Sequence, residues 1–126
     1  MPEKSEIIEQ LRKDFPRTWK AYFNSSEYNS ANSIYHARYF FDMINIFISV
    51  ENYPNHKISG LHFEFNGYRW RHQVFYNSVE YRIDSGFKSR TEAEIAAIQH
   101  AFQIAENEVV WFPPKKSAEN ELAINS

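Results

Sequence analysis

Apolar and polar residues alternate through the middle of the chain. Leu61, Phe63 and Phe65 interleave with His62 and Glu64, and Tyr68, Trp70 and Val74 with Arg69, Arg71 and Gln73. A period of two predicts strands with one buried face. Asn66-Gly67 sits between two such runs, and a type I′ turn there supplies the positive φ that both central positions need. That turn sets Phe65 opposite Tyr68, Phe63 opposite Trp70 and Leu61 opposite His72. Leu61, Phe63, Phe65, Tyr68, Trp70 and Val74 then form the core face. A second turn at Asn77-Ser78 sets Val74 against Tyr81 and His72 against Ile83.

The period changes after Gly86. Ala93, Ala97, Ile98, Ala101, Phe102, Ile104 and Ala105 recur at helical spacing, which predicts one amphipathic helix lying close on the sheet. Thr91 and Glu94 read as its capping box, T-x-x-E. Upstream, Ile7, Ile8, Leu11 and Phe15 predict a first helix with Ser5 as a cap, ended or restarted by Pro16. Trp19, Tyr22 and Phe23 form a short second stripe. Residues 24–33 read as a polar loop, and Tyr35, Tyr39, Phe40 and Met43 as a further helix. Ile46, Ile48 and Val50 alternate as a strand, followed by a loop over 52–57 around Pro54.

These elements predict an α+β fold: an antiparallel meander of three to four strands packed against a C-terminal helix, with helices at the N-terminus. A single domain over residues 1–112 is expected, with a helical segment and loop over 1–33, a core module over 34–108, and a disordered tail over 113–126.

Composition narrows the chemistry. The chain has 126 residues, no cysteine, and a formal net charge of −2. Disulfides, thiolate metal sites and a cysteine nucleophile are excluded. The net charge argues against binding nucleic acid by bulk electrostatics. The first fifteen residues are charged throughout, with no apolar signal region, and no apolar run is long enough to span a bilayer. A cytoplasmic protein with no membrane partner is expected. The 11 Phe, 8 Tyr and 3 Trp make 17% of the chain, so rings are available for an interface once a core is filled.

The five histidines, His36, His56, His62, His72 and His100, show no ligand spacing, and the hairpin register sends His62 and His72 to opposite faces. With three glycines there is no phosphate loop, and no carboxylate pair stands at a recognisable spacing. No catalytic residue, metal ligand or cofactor is assigned, and no enzyme is expected. His72 interrupts the core face and reads as a hydrogen-bonded or sheet-edge histidine. On the other face the register sets Glu64 across from Arg69 and Asp84 across from Arg71, pairing the arginines with carboxylates.

The stretch SRTEAEIAAIQHAFQIAE, residues 89–106, resembles the closing helix of double-stranded RNA-binding domains, S-K-K-x-A-K-x-x-A-A-x-x-A. Ser89, Arg90, Ala93, Ala97 and Ala101 match, and Pro54-Asn55-His56-Lys57 is similar to that family's G-P-x-H loop. Thr91 and Glu94 replace two of the lysines that hold phosphates there, the loop lacks its glycine, and the meander is longer. The module also resembles the arm-type DNA-binding domains of phage integrases, strands followed by F-x-[ST]-x-x-E-A. A closer likeness is to small phage and mobile-element proteins of gut bacteria. These share F-F-D-x-x-x-I-x-I-S-V, here Phe40 to Val50, and R-T-E-A-E-x-A-A-I-x-x-A-F-x-I, here Arg90 to Ile104. That resemblance implies a genomic setting and an accessory role, not an activity.

The expected function is a non-enzymatic protein-interaction module, with a homodimer as one form. Its interface is assigned to aromatics outside the core face: Trp19, Tyr22, Phe23, Phe75, Trp111 and Phe112. The alternative is nucleic-acid binding through Lys57, Arg69, Arg71, Arg82, Lys88 and Arg90, which the cross-strand pairing disfavours.

Overall fold

A computed structural model describes residues 4–109. The order is α1 (Lys4–Asp14), α2 (Pro16–Phe23), α3 (Ser33–Met43), β1 (Ile46–Ser59), β2 (His62–Tyr76), β3 (Val79–Phe87) and α4 (Arg90–Glu108). The strands form one antiparallel sheet in the order β1-β2-β3. The α+β architecture expected from the sequence is the one observed. Trp111, Phe112 and the tail over 113–126 lie outside the described residues.

The core sits between the helices and one end of the sheet. Ile7 and Leu11 of α1, Trp19 and Tyr22 of α2, Ile34, Ala37, Phe40 and Phe41 of α3, and the small-residue stripe of α4 meet there. From the strands only Ile46 and Val74 are buried apolar residues. Phe102 of α4 is the hub, its ring 5.0 Å from Phe41 and 6.0 Å from Trp19. Tyr22 donates its hydroxyl proton to the Ser33 carbonyl, tying α2 to the start of α3.

α2 begins without a cap of its own, because the residue before it is Phe15, whose side chain accepts nothing. The need is met from across the molecule. Thr18 donates its backbone N–H and its hydroxyl to the Glu106 carboxylate of α4, each at 2.9 Å, and Arg17 Nε donates to the same carboxylate at 3.3 Å. An anion at a helix N-terminus answers both the orphan N–H groups and the helix dipole. Burial alone would push the Glu106 carboxyl up, but these hydrogen bonds outweigh it and hold the group below its ordinary value.

The strands depart from the sequence reading at every point where an extra residue enters the ladder. Asn66-Gly67 is not a turn. The β1–β2 turn is Gly60-Leu61, with Ser59 opposite His62 and Gly60 at φ 62, the Gly-first pattern of a type II′ loop. Asn66 and Gly67 instead stand together against Asn55 in a bulge, where Gly67 takes its φ of 72. The two short strands expected on either side of Asn66-Gly67 are therefore one, and the sheet has three strands, two of them long, within the three to four expected. The expected loop over 52–57 is continuous strand. Pro54 is accommodated because β1 is an edge strand, where its missing N–H breaks no ladder.

The second turn is at Asn77-Ser78 as expected, with φ of 51 and 67. Beyond it the register slips. Phe75 faces Glu80, yet Val74 faces Arg82 and His72 faces Asp84, so the expected Val74–Tyr81 and His72–Ile83 pairs do not form. A further shift follows before Trp70 meets Phe87, with Gly86 at φ 88. Two bulges thus bracket the segment Arg82–Asp84. The α4 cap also differs. Ser89 accepts from the Glu92 N–H at 3.2 Å, so the frame S-x-x-E, two residues earlier than T-x-x-E, starts the helix. Glu94 is thereby freed to pair with Arg90 at 2.8 Å.

Candidate interaction surface and histidine cluster

β1 and β2, of 14 and 15 residues, run on the order of 45–50 Å at ~3.3 Å per residue, whereas the 19 residues of α4 span roughly 28 Å at ~1.5 Å each. The hairpin therefore outruns its cover. Through the bulge at Asn66-Gly67, β1 keeps its alternation, so Asn52, Pro54, His56 and Ile58 continue the face that Ile48 and Val50 turn toward α4. Their partners on β2 are Trp70, Tyr68, Phe65 and Phe63.

Past the helix that face stays apolar and is uncovered. Ile58 is 69% exposed, Phe63 74%, and Leu61 at the tip 98%. Phe65 packs edge-on to Tyr68 at 5.2 Å and to His56 at 6.3 Å, so the rings form one patch. Leu61, Phe63, Phe65 and Tyr68 were expected in the core; they are surface. Their physical pattern was right and their cover was not.

The expected interface divides differently. Trp19 and Tyr22 are core residues, stacked on and edge-on to Phe102. Phe23 is half-exposed and leans on Tyr28. Phe75 is partly buried on the sheet face away from α4, level with Glu80.

The basic residues are dispersed. Arg71 is paired with Glu51 on β1, not with Asp84, and lies over the Tyr53 ring. Lys57, not Arg69, stands opposite Glu64. Arg69 donates to the neighbouring Tyr68 carbonyl, and Arg82 pairs with Asp84 at 2.8 Å on the α4 side. Arg90 belongs to the first turn of α4, and Lys88 is an exposed residue just before it. The six do not form one patch.

A cluster the sequence spacing did not point to lies where α4 crosses β2 and β3. His72 Nε2 and His100 Nε2 stand 3.6 and 3.1 Å from the same oxygen of Asp84. His72 is fully buried, and neither ring nitrogen has a hydrogen-bond partner. Its ring stacks on Phe87, centroids 5.3 Å apart. Burial, then the proximity of His100, lowers the His72 pKa; burial, then Arg82, lowers that of His100. Asp84 is held below its ordinary value chiefly by the hydrogen bond from Arg82. Beside His100, a cavity of about 220 Å³ opens between Tyr81, Arg82, Gln103, Ile104 and Asn107.

Among the described residues no helix is long and apolar enough to cross a membrane. Comparison with family models, with curated proteins and with solved structures finds no match.

Proposed function

We propose that this protein is a non-enzymatic interaction module that docks through the projecting β1–β2 hairpin, and that the surface it meets is a second copy of itself. The carrying observation is the apolar face that continues past α4. Ile58, Leu61, Phe63, Phe65 and Tyr68 are 58–98% exposed. At ~150–250 Å² for a large apolar side chain, they offer on the order of 700 Å². A patch that large exceeds what monomers usually leave uncovered. Shared in an isologous pair, it buries roughly 1,400 Å², within the range of specific interfaces. Lys57 and Glu64 on the reverse face of the hairpin keep that side polar and orient the docking. The genomic setting suggested by the resemblance to phage and mobile-element proteins is compatible with a small accessory factor of this kind.

Light scattering after size exclusion, over a concentration series, tests the reading. A dimer is expected for the native chain and a monomer for the double variant Phe63→Ser/Phe65→Ser. Because both rings are exposed in the monomer, that variant should unfold within about 0.5 kcal/mol of the native protein at a dilution where the native chain is itself monomeric. A native chain that stays monomeric at high micromolar concentration would sink the self-association reading.

A further inference from the structure

His72 is fully buried with neither ring nitrogen in good hydrogen-bond geometry, its Nε2 3.6 Å from the Asp84 carboxylate, and a buried polar group so poorly satisfied is costly. His72 is held in that state by its position in the ladder. The bulge between Val74 and Phe75 slips β3 by one residue, and a one-residue slip exchanges the two faces of a strand. Asp84 thereby replaces Ile83 opposite His72. The second bulge, ending at Gly86, returns the chain to its course into α4. His100 arrives from that helix. Three elements thus bring an imidazole, a carboxylate and an imidazole together, with ligand atoms all within 4.8 Å of one another.

We infer that His72, Asp84 and His100 bind a divalent transition-metal ion of the zinc or cobalt type. Bonds of ~2.0–2.1 Å in a tetrahedral site separate donor atoms by roughly 3.3 Å. The two His–Asp separations here, 3.6 and 3.1 Å, fall on either side of that value. Two imidazole nitrogens and one carboxylate oxygen suit zinc, cobalt, nickel or ferrous iron, not calcium or magnesium, which demand oxygen. The Phe87 ring fixes the plane of His72. Arg82 donates at 2.8 Å to the same Asp84 oxygen that the two imidazoles face, so a bound ion displaces that hydrogen bond or takes the other carboxylate oxygen. The same guanidinium opposes a dication, so the affinity falls below that of an equivalent site without it. Three protein ligands leave one position, on the side of the cavity beside His100, for water or a small anion.

The test is a cobalt(II) titration of the untagged full chain, read by visible ligand-field absorption, with zinc as competitor. One equivalent should bind, zinc should displace it, and zinc should raise the unfolding midpoint where magnesium and calcium do not. Asp84→Asn and His100→Ala, both at partly exposed positions, should each weaken binding by about 100-fold or more. His72→Leu should abolish it, while His56→Ala and His62→Ala leave it unchanged. Circular dichroism establishes that each variant is folded, and the two partly exposed positions carry the test should His72→Leu fail to fold. Absence of a one-equivalent spectrum, or a spectrum that survives in folded Asp84→Asn and His100→Ala, would overturn the assignment.

Discussion

Replacing Glu106 probes whether a short helix can be capped from a distant part of the chain. Glu106 is 15% exposed at its side chain and accepts three hydrogen bonds, two from Thr18 and one from Arg17. Hydrogen bonds to an ionised partner contribute ~1.5–3 kcal/mol each when measured singly, but they share one carboxylate and do not add. Glu106→Ala should therefore cost about 2–3 kcal/mol. Glu106→Gln, which keeps an acceptor oxygen for Thr18 but loses the ion pair with Arg17, should cost about 1 kcal/mol. The pH dependence has a definite sign. The folded-state pKa is lowered from an ordinary 4.5, so the carboxylate's contribution is complete above that value and is lost as pH falls through the lower, folded value. Urea unfolding of the native and Gln proteins at a series of pH values measures it: the gap between them should be constant near neutrality and close below about pH 4.5. A gap that persists unchanged to the acid limit, or one under 0.5 kcal/mol at pH 7, would refute the capping argument.

Two further perturbations test the fold. Phe102→Ala removes the ring against which Phe15, Trp19, Tyr22 and Phe41 pack, and should cost ~3–5 kcal/mol in chemical unfolding; a loss near 1 kcal/mol would mean that the helices do not share one core. Ser78→Gly relieves a non-glycine residue at φ 67 and converts the turn to Asn-Gly, so it should stabilise the protein by roughly 0.5 kcal/mol, read as a higher urea midpoint at unchanged slope. Destabilisation there would mean the turn is not type I′.

What was legible in the sequence were the local periodicities. The stripes of α1, α3 and α4, the Asn77-Ser78 turn and the overall α+β class follow from spacing alone, because each is decided by neighbours within a few residues. The short stripe of α2 shows the limit. Trp19 and Tyr22 read as surplus aromatics because the surface that buries them, Phe102 of α4, is some eighty residues away in the chain. The S-x-x-E and T-x-x-E frames overlap between Ser89 and Glu94, and only the backbone geometry at Ser89 selects the first.

The bulges were illegible for a deeper reason, and they control both surfaces proposed to act. A glycine at positive φ satisfies a turn and a bulge equally, so Asn66-Gly67 carries no local mark of which one it makes. The choice lies with Gly60-Leu61, whose turn lets β1 pair with β2 along its whole length. That choice moves Phe63 and Phe65 from beneath α4 to a hairpin that projects past it. The slip after Phe75 likewise decides whether Ile83 or Asp84 faces His72. With Ile83 there, the buried imidazole would have an apolar neighbour and no chemistry. With Asp84 there, and His100 above it, the same histidine becomes one of three converging donors. Residues 72, 84 and 100 have no motif spacing because their convergence depends on an extra residue in β3 that sets Asp84, not Ile83, opposite His72. Deleting Tyr81 removes that bulge but leaves Arg82 to follow Glu80 and meet Val74, so Asp84 should still face His72 and the cobalt spectrum should survive the deletion.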